Sequence, residues 1–154
     1  ALNKWTKKKQ LQKEKHLSIR LVNDNLSLWA QPLKNAFLSA EIDSHHIISQ
    51  YIEHHQNIIN QKIEIYHFIL TKSQFPVTSL TLTIHNKIAR LDDIATHLDH
   101  QKQGNATYLI NYVLDFCLQK KITCCYLESS PSGVELYRRL GFETLFNYFS
   151  YYKV

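Results

Sequence analysis

Three glycines occur in 154 residues, and the first, Gly104, lies in "HQKQGNATYLINYVLDF", residues 100 to 116. Globular chains carry about 7% glycine, so a sequence this sparing keeps it where a side chain is hard to accommodate. The stretch reads as a loop entering a helix, and the first turn of a helix leaves main-chain N–H groups unpaired at the positive end of its dipole. That is the chemistry of an anion site. Gly104 has no Cβ, Ala106 is nearly as small, and Lys102 adds a formal charge. Together they suit a phosphate or pyrophosphate; the plainer alternative is a loop in which Gly104 only serves a turn. Neither GxxxxGK[ST] nor GxGxxG is present, which sets aside the P-loop and the Rossmann fingerprint.

The nine histidines invite a metal reading. His45-His46 and His54-His55 share one candidate helix, but eight to ten residues correspond to about 12–15 Å of rise, too far for one ion. His97 and His100 flank the glycine loop with nothing nearby to close a ligand set. No metal is expected. The cysteines are three, Cys117, Cys124 and Cys125, without a CxxC pair, which points to reduced thiols of a cytoplasmic protein and not to a disulfide frame or thiolate site.

The elements that must position the loop follow from periodicity. "LSIRLVN" (17–23) alternates as a strand, with turn residues Asn23-Asp24-Asn25 after it. Leu26, Trp29, Ala30, Leu33 and Phe37 fall at helical spacing. Asp43 or Ser44 can cap a second helix with the stripe Ile48, Tyr51, Ile52, His55, Ile59. "IEIYHFILTK" (63–72) and "VTSLTLTIHN" (77–86) read as a hairpin around "SQFP", and "KIARLDDIATH" (87–97) as the next strand. A helix from about Asn105 to Lys120 presents Ala106, Leu109, Ile110, Val113, Leu114 and Cys117. "ITCCYLES" (122–129) has the continuous apolar character of a strand covered on both faces. A short helix, "GVELYRRL", and a closing aromatic strand, "TLFNYFSYYKV" (144–154), complete the chain. The order predicts an α/β fold: a mixed, mostly antiparallel sheet with a central parallel strand pair and helices on both faces.

Residues 17–154 read as one domain, with residues 1–16 as a basic arm holding six lysines and much of the net charge of +5. Only Trp5 interleaves with those lysines, so a solvated arm is preferred over a nucleic-acid contact. No apolar run approaches the roughly 20 residues of a membrane span, and the N-terminal stretch lacks the apolar core of a signal peptide.

"QKQGNA" (101–106) fits Q/R-x-x-G-x-G/A and lies about 30 residues before S-x-x-G-x-x-L-Y-x-x-L-G-F. All three glycines take positions in one pattern, which resembles that of the GNAT N-acetyltransferase superfamily over residues 88 to 142. The first 75 residues match that family only in element order.

The resemblance implies a GNAT fold and acetyl-CoA as acyl donor, lying between splayed parallel strands. Main chain at Ile94, Ala95 and Thr96 would line the pantetheine arm. Gln101, Lys102, Gln103, Gly104, Asn105, Ala106 and Thr107 would wrap the pyrophosphate. Thr96 stands where valine is frequent and Leu98 where proline is. Tyr137 matches the acid for the leaving thiolate, against its plain reading as a packed aromatic, and an N–H near Ala95 would hold the oxyanion. Asp92, Asp93 and Glu128 are the base candidates, although alternation lets only one of the aspartates face a given cleft. The plain reading of each as a surface or strand-end carboxylate is preferred to any single assignment, and a route through proximity and a water chain needs no dedicated base. Ser129, Ser130 and Ser132 are placed to bond the cofactor or, as the preferred single role, to cap the helix after Pro131. Cys124 and Cys125 read as core. The expected function is direct acetyl transfer to a primary amine of a small molecule or protein; a non-catalytic acyl-CoA-binding module of the same fold is the alternative. The aromatic closing strand offers a way to pair two copies into a homodimer.

Overall fold

The structure is a computed structural model that describes residues 16–37 and 44–149. The basic arm up to residue 15, Asp43 and residues 150–154 lie outside the described residues. Five strands form one sheet: β1 (Leu17–Leu21), β2 (Ile65–Lys72), β3 (Phe75–His85), β4 (Ile88–Thr96) and β5 (Cys124–Leu127), adjacent in that order. The helices are α1 (Leu26–Phe37), α2 (Ser44–Asn60), α3 (Asn105–Gln119) and α4 (Val134–Arg139). A single 3-10 turn, Leu98–His100, leads from β4 to α3.

The first four strands are antiparallel, and β4 with β5 is parallel. The parallel pair requires a crossover, which α3 supplies. Two-residue turns close the β2–β3 and β3–β4 hairpins, with positive φ at Ser73 and Gln74 and at Asn86 and Lys87. That double left-handed conformation matches the strand twist. The first turn is tighter than "SQFP" suggests: Phe75 and Pro76 already belong to β3, and Pro76, opposite Thr71, sits beside a bulge whose extra residue is Val77 of β3, a position where proline is tolerated in a sheet.

Each face of the sheet has its own core. On one, Leu109, Ile110, Val113, Leu114 and Cys117 of α3 pack on Leu80, Leu82 and Leu91. On the other, Val22, Leu26, Trp29, Ala30 and Leu33 pack on Ile69 and Ala95, with Ile48, Tyr51, Ile52 and Ile59 of α2 against them. Full burial of an aliphatic side chain contributes about 1.5–3 kcal/mol, so the two stripes hold the helices to the sheet.

Two expectations change at the C-terminal end. Residues 142–149 form no strand, and Leu145, Phe146 and Phe149 are strongly exposed. The aromatic alternation that suggested a strand has no described neighbour to pair with. Among the described residues β5 is therefore the last strand of the sheet, the parallel pair lies at one side and not in the centre, and Tyr126 is exposed instead of covered.

Candidate functional site

The site begins where β4 and β5 part. Their last paired residues are Leu91 and Leu127, whereas β4 runs on to Thr96. Along residues 92–96 the β5 side of β4 is therefore open, while its other side stays bonded to β3 through Thr78 opposite Thr96 and Ser79 opposite Ala95. A bulge lies between those pairs and the pairing of Thr81 with Asp92, and Asp93 within it has φ +54°. Asp tolerates this left-handed conformation better than most residues, and a bulge bends its strand and re-aims a side chain. Main chain at Ile94, Ala95 and Thr96 thus lines an open strand edge.

The loop after that edge is held by its own side chains. Gln101 Nε2 donates to the Thr96 carbonyl at 3.2 Å, Gln103 Nε2 to the Asp99 carbonyl at 3.1 Å, and Asn105 Nδ2 to the His100 carbonyl at 2.8 Å. Gly104 has φ 82°, ψ 1°, and is the N-cap of α3. It offers no side chain to the first-turn amides, and Asn105 spends its amide on the loop behind it. The N–H groups of Asn105, Ala106 and Thr107 therefore open α3 without a side-chain cap, with the ammonium-bearing Lys102, φ 58°, exposed in the same loop.

On the β5 side, the carboxylates form one charged chain at the surface. Arg90 Nε lies 2.9 Å from Asp92 Oδ1 and its Nη2 lies 3.2 Å from Glu128 Oε1, while the Tyr148 hydroxyl donates to Glu128 Oε2 at 2.9 Å. Partial burial, opposed by Arg90, pushes the Asp92 carboxyl up. Glu128 is thereby engaged by an arginine and a tyrosine and stands apart from Asp93.

The serines do not cap α4. Its N-cap is Gly133, with no side-chain hydrogen bond; Ser129 Oγ donates to the Ser130 carbonyl, and Ser130 Oγ and Ser132 Oγ bond each other at 3.1 Å. The hydroxyls are taken up within the loop, by one another and by a main-chain carbonyl, and none reaches the helix start. Gly133 has a packing reason of its own, since a Cβ there would come within 2.9 Å of Tyr137 Cε2. The Tyr137 ring packs into the α3-side core against Phe142, and burial raises its phenol above the ordinary range, so it keeps its proton at neutral pH.

Opposite, under α2, Asp93 is drawn into a polar layer that the sequence patterns had hidden in an apolar stripe. The Tyr51 hydroxyl donates to Asp93 Oδ1, and His55 Nε2 lies 3.8 Å from Asp93 Oδ2. His55 Nδ1 meets His67 Nε2 at 2.8 Å, and His67 Nδ1 meets Asn23 Oδ1 at 3.1 Å. The Trp29 ring packs against Tyr51, His55 and His67. Burial and the Asp93 bond push the Tyr51 phenol up, with a smaller contribution from Asp92, so both aspartates act on this cluster. The bulge breaks the alternation that would have kept them on opposite sides. Polar residues at i and i+4 on the inner stripe of α2, facing a histidine within the apolar run of β2, were the available sequence signal. No group of three or more metal-ligating side chains occurs among the described residues, and none of their helices is long and apolar enough to cross a membrane.

A parallel strand pair thus opens toward a helix N-terminus that carries no side-chain cap. Residues 37–150 match the acetyltransferase (GNAT) domain, and the chain belongs to that family of N-acetyltransferases. Solved structures agree in fold. A GCN5-related N-acetyltransferase from Ralstonia eutropha superposes with a TM-score of 0.70 at 14% identity, over 88% of this chain and 98% of that one. An acetyltransferase of Trypanosoma brucei gives 0.66 at 17% identity, covering 89% and 99%. AAC(6')-Iy, solved in complex with the bisubstrate analogue CoA-S-monomethyl-acetylneamine, gives 0.66 at 18% identity, covering 90% and 99%. No curated protein matches the sequence.

Proposed function

We propose that this enzyme transfers an acetyl group from acetyl-CoA directly to a primary amine, using the open edge of β4 and the start of α3 as its donor site. The observation that carries the reading is the pairing of an unpaired strand edge at residues 92–96 with the uncapped α3 terminus at Gly104. Exposed main-chain N–H groups are what a diphosphate needs, and a left-handed glycine lets it come close. Gln101 through Thr107 would hold the pyrophosphate, Ile94, Ala95 and Thr96 the pantetheine, and Ser130 and Ser132 polar atoms of the same donor. The family member solved with a CoA-neamine bisubstrate analogue supports a CoA donor and makes an aminoglycoside-like amine one candidate acceptor.

When bound, acetyl-CoA supplies an electrophilic thioester carbonyl and a thiolate leaving group. Asp93, on the open stretch of β4 with its carboxylate held under α2 by Tyr51, takes a proton from the incoming ammonium so that its lone pair can attack. A main-chain N–H beside Ala95 on the open edge of β4 would face the developing oxyanion; the Ala95 N–H itself turns to β3, in step with the His97 N–H that bonds the Val77 carbonyl. As the C–S bond breaks, Tyr137 gives its phenolic proton to the sulfur and is restored by the second proton lost from nitrogen. One proton is released overall. Glu128, held by Arg90 and Tyr148, is read as the second carboxylate of the site and a weaker candidate for proton transfer.

The test is release of free CoA thiol from acetyl-CoA across neamine, glucosamine 6-phosphate, spermidine, free amino acids and a lysyl peptide, beside calorimetry of acetyl-CoA binding. Turnover with one class supports the enzyme and names its acceptor. Tight acetyl-CoA binding with no thiol release from any of them favours a binding module. No acetyl-CoA affinity at all would falsify the donor site.

A further inference from the structure

The polar layer under α2 fixes the positions of protons as well as of atoms. Asn23 Nδ2 donates to the Ile65 carbonyl at 2.7 Å, so its oxygen is the end turned to His67. That oxygen accepts the His67 main-chain N–H at 2.7 Å and lies 3.1 Å from the ring Nδ1. An amide oxygen only accepts, so His67 carries its hydrogen on Nδ1 and leaves Nε2 as an acceptor. His55 Nδ1, 2.8 Å away, must then be the donor to it. The bare nitrogen of neutral His55 is therefore Nε2, which faces Asp93 Oδ2 across 3.8 Å. Two lone pairs confront one another over a gap too long for a hydrogen bond. One added proton would convert that gap into an imidazolium–carboxylate pair.

We propose that His55 is a positioning residue for the amine proton, forming with Asp93 a one-proton acceptor whose open side is set by His67 and Asn23. The proposal rests on Asp93 as the group that faces the amine. The ammonium N–H bond breaks, its electron pair stays on nitrogen, and the proton passes to Asp93 Oδ2 and is shared with His55 Nε2. It returns to water after the acetylated product leaves. Tyr51 occupies Oδ1, which leaves Oδ2 to receive it. The groups facing His55 are Tyr51 and His54 from α2, Asp93 from β4, His67 from β2 and the Trp29 ring from α1, with Asp92 acting through Tyr51. Asp93 favours a charged His55 and His54 opposes it, while burial keeps the resting ring neutral by lowering its pKa.

Long-range proton–nitrogen spectra of the labelled protein at neutral pH read the tautomers without any turnover. Both His55 and His67 are expected with Nδ1 protonated and Nε2 bare; a neutral His55 protonated on Nε2 overturns the proposal. His67→Leu removes the acceptor and is expected to release the His55 tautomer, whereas His67→Gln presents an amide oxygen at the same reach and keeps it. If His67→Leu does not fold, Asn23→Ala unlocks the chain from its other end. In the thiol-release assay with the fastest amine of the panel, His55→Gln is expected to lower kcat about 100-fold, leave KM for acetyl-CoA unchanged, and shift the acid limb of the pH profile. His67→Gln should keep that limb where His67→Leu moves it. An unmoved limb in His55→Gln together with lost activity in Asp93→Asn removes the pair but keeps the base. Full activity in Asp93→Asn removes both.

Discussion

On the α3 face of the sheet the packed cluster is mainly aliphatic and aromatic, from Leu80 and Leu82 to Val113 and Leu114, with the Cys117 thiol among them. On the α1 and α2 face the corresponding layer buries His55, His67, Ser79 and Thr81 around Trp29. Cross-strand register puts His67, Thr81 and Asp92 in one row and Ile69, Ser79 and Ala95 in the next. The first face needs nothing beyond hydrophobic burial, and the ligand groups it supports at Gly104 are main-chain atoms. The second face spends buried volume on polar groups. His55 and His67 are hydrogen-bonded to each other and to Asn23, whereas Trp29 Nε1, Ser79 Oγ and Thr81 Oγ1 have no partner among the described residues. A buried polar group costs stability whenever a partner is missing. In the proposed reading this is a division of labour: the donor loop would act mainly through backbone, and the polar layer under α2 through side chains gathered from a turn, a helix and two strands.

That contrast can be broken at its strongest point first. Tyr137→Phe removes the proposed acid while leaving the packed ring in place, and kcat is expected to fall at least about 100-fold with acetyl-CoA affinity unchanged by calorimetry. Next is Gly104→Val, which forces a β-branched residue to φ 82°. The loop should relax away from the left-handed region, and acetyl-CoA should bind roughly tenfold or more weakly, about 1.4 kcal/mol. The His55 cluster, measured by its tautomers, should be untouched. If it moves with Gly104→Val, the two halves are not separable.

Smaller effects sharpen the same division. Gly133→Ala places a Cβ 2.9 Å from Tyr137 Cε2 and 3.1 Å from Ser129 Oγ; because Gly133 has φ −88°, the backbone is not strained, and the ring and the serine hydroxyl must shift. A drop in kcat of about threefold to tenfold without a change in melting temperature is expected, consistent with the sensitivity of catalysis to small misplacements. Unaltered kcat would detach Tyr137 from the chemistry.

The last prediction concerns pH. Burial pushes the His67 imidazole down to about 3 and lowers His55 as well. The unfolded chain binds protons on these rings near pH 6.5, where the folded chain does not, so stability rises with pH in this window. It is fully present above about pH 6.5 and is lost progressively as pH falls toward the folded value. Thermal denaturation should show Tm lower by about 5 °C at pH 5 than at pH 7. His67→Leu should flatten that slope, while the α3-side variants keep it.

The positions of the loop and of α4 were legible from the sequence because their signals are local. A left-handed turn needs a glycine, an uncapped helix start lacks side-chain caps, and the spacing from Gly104 to Tyr137 and Gly141 is a matter of counting. The strands and helices were legible for the same reason, since their periods are carried by neighbouring positions. The closing strand was not, because a strand exists only through a pairing partner, and alternation in residues 144–149 cannot supply one. The preferred capping role of the serines failed similarly: any of three hydroxyls suits a helix start, and which partner it takes depends on the loop's path.

The polar layer lay furthest beyond the sequence. Tyr51 and His55 stand on a stripe that any amphipathic helix would bury, and His67 sits inside an apolar run. What joins them to Asn23 and Asp93 is the packing of α2 on the sheet together with a one-residue bulge in β4, contacts spanning up to 44 positions along the chain. Periodicity reports which side of an element turns inward. It carries no information on which buried donor will meet which acceptor, because that is settled by packing between elements distant in sequence.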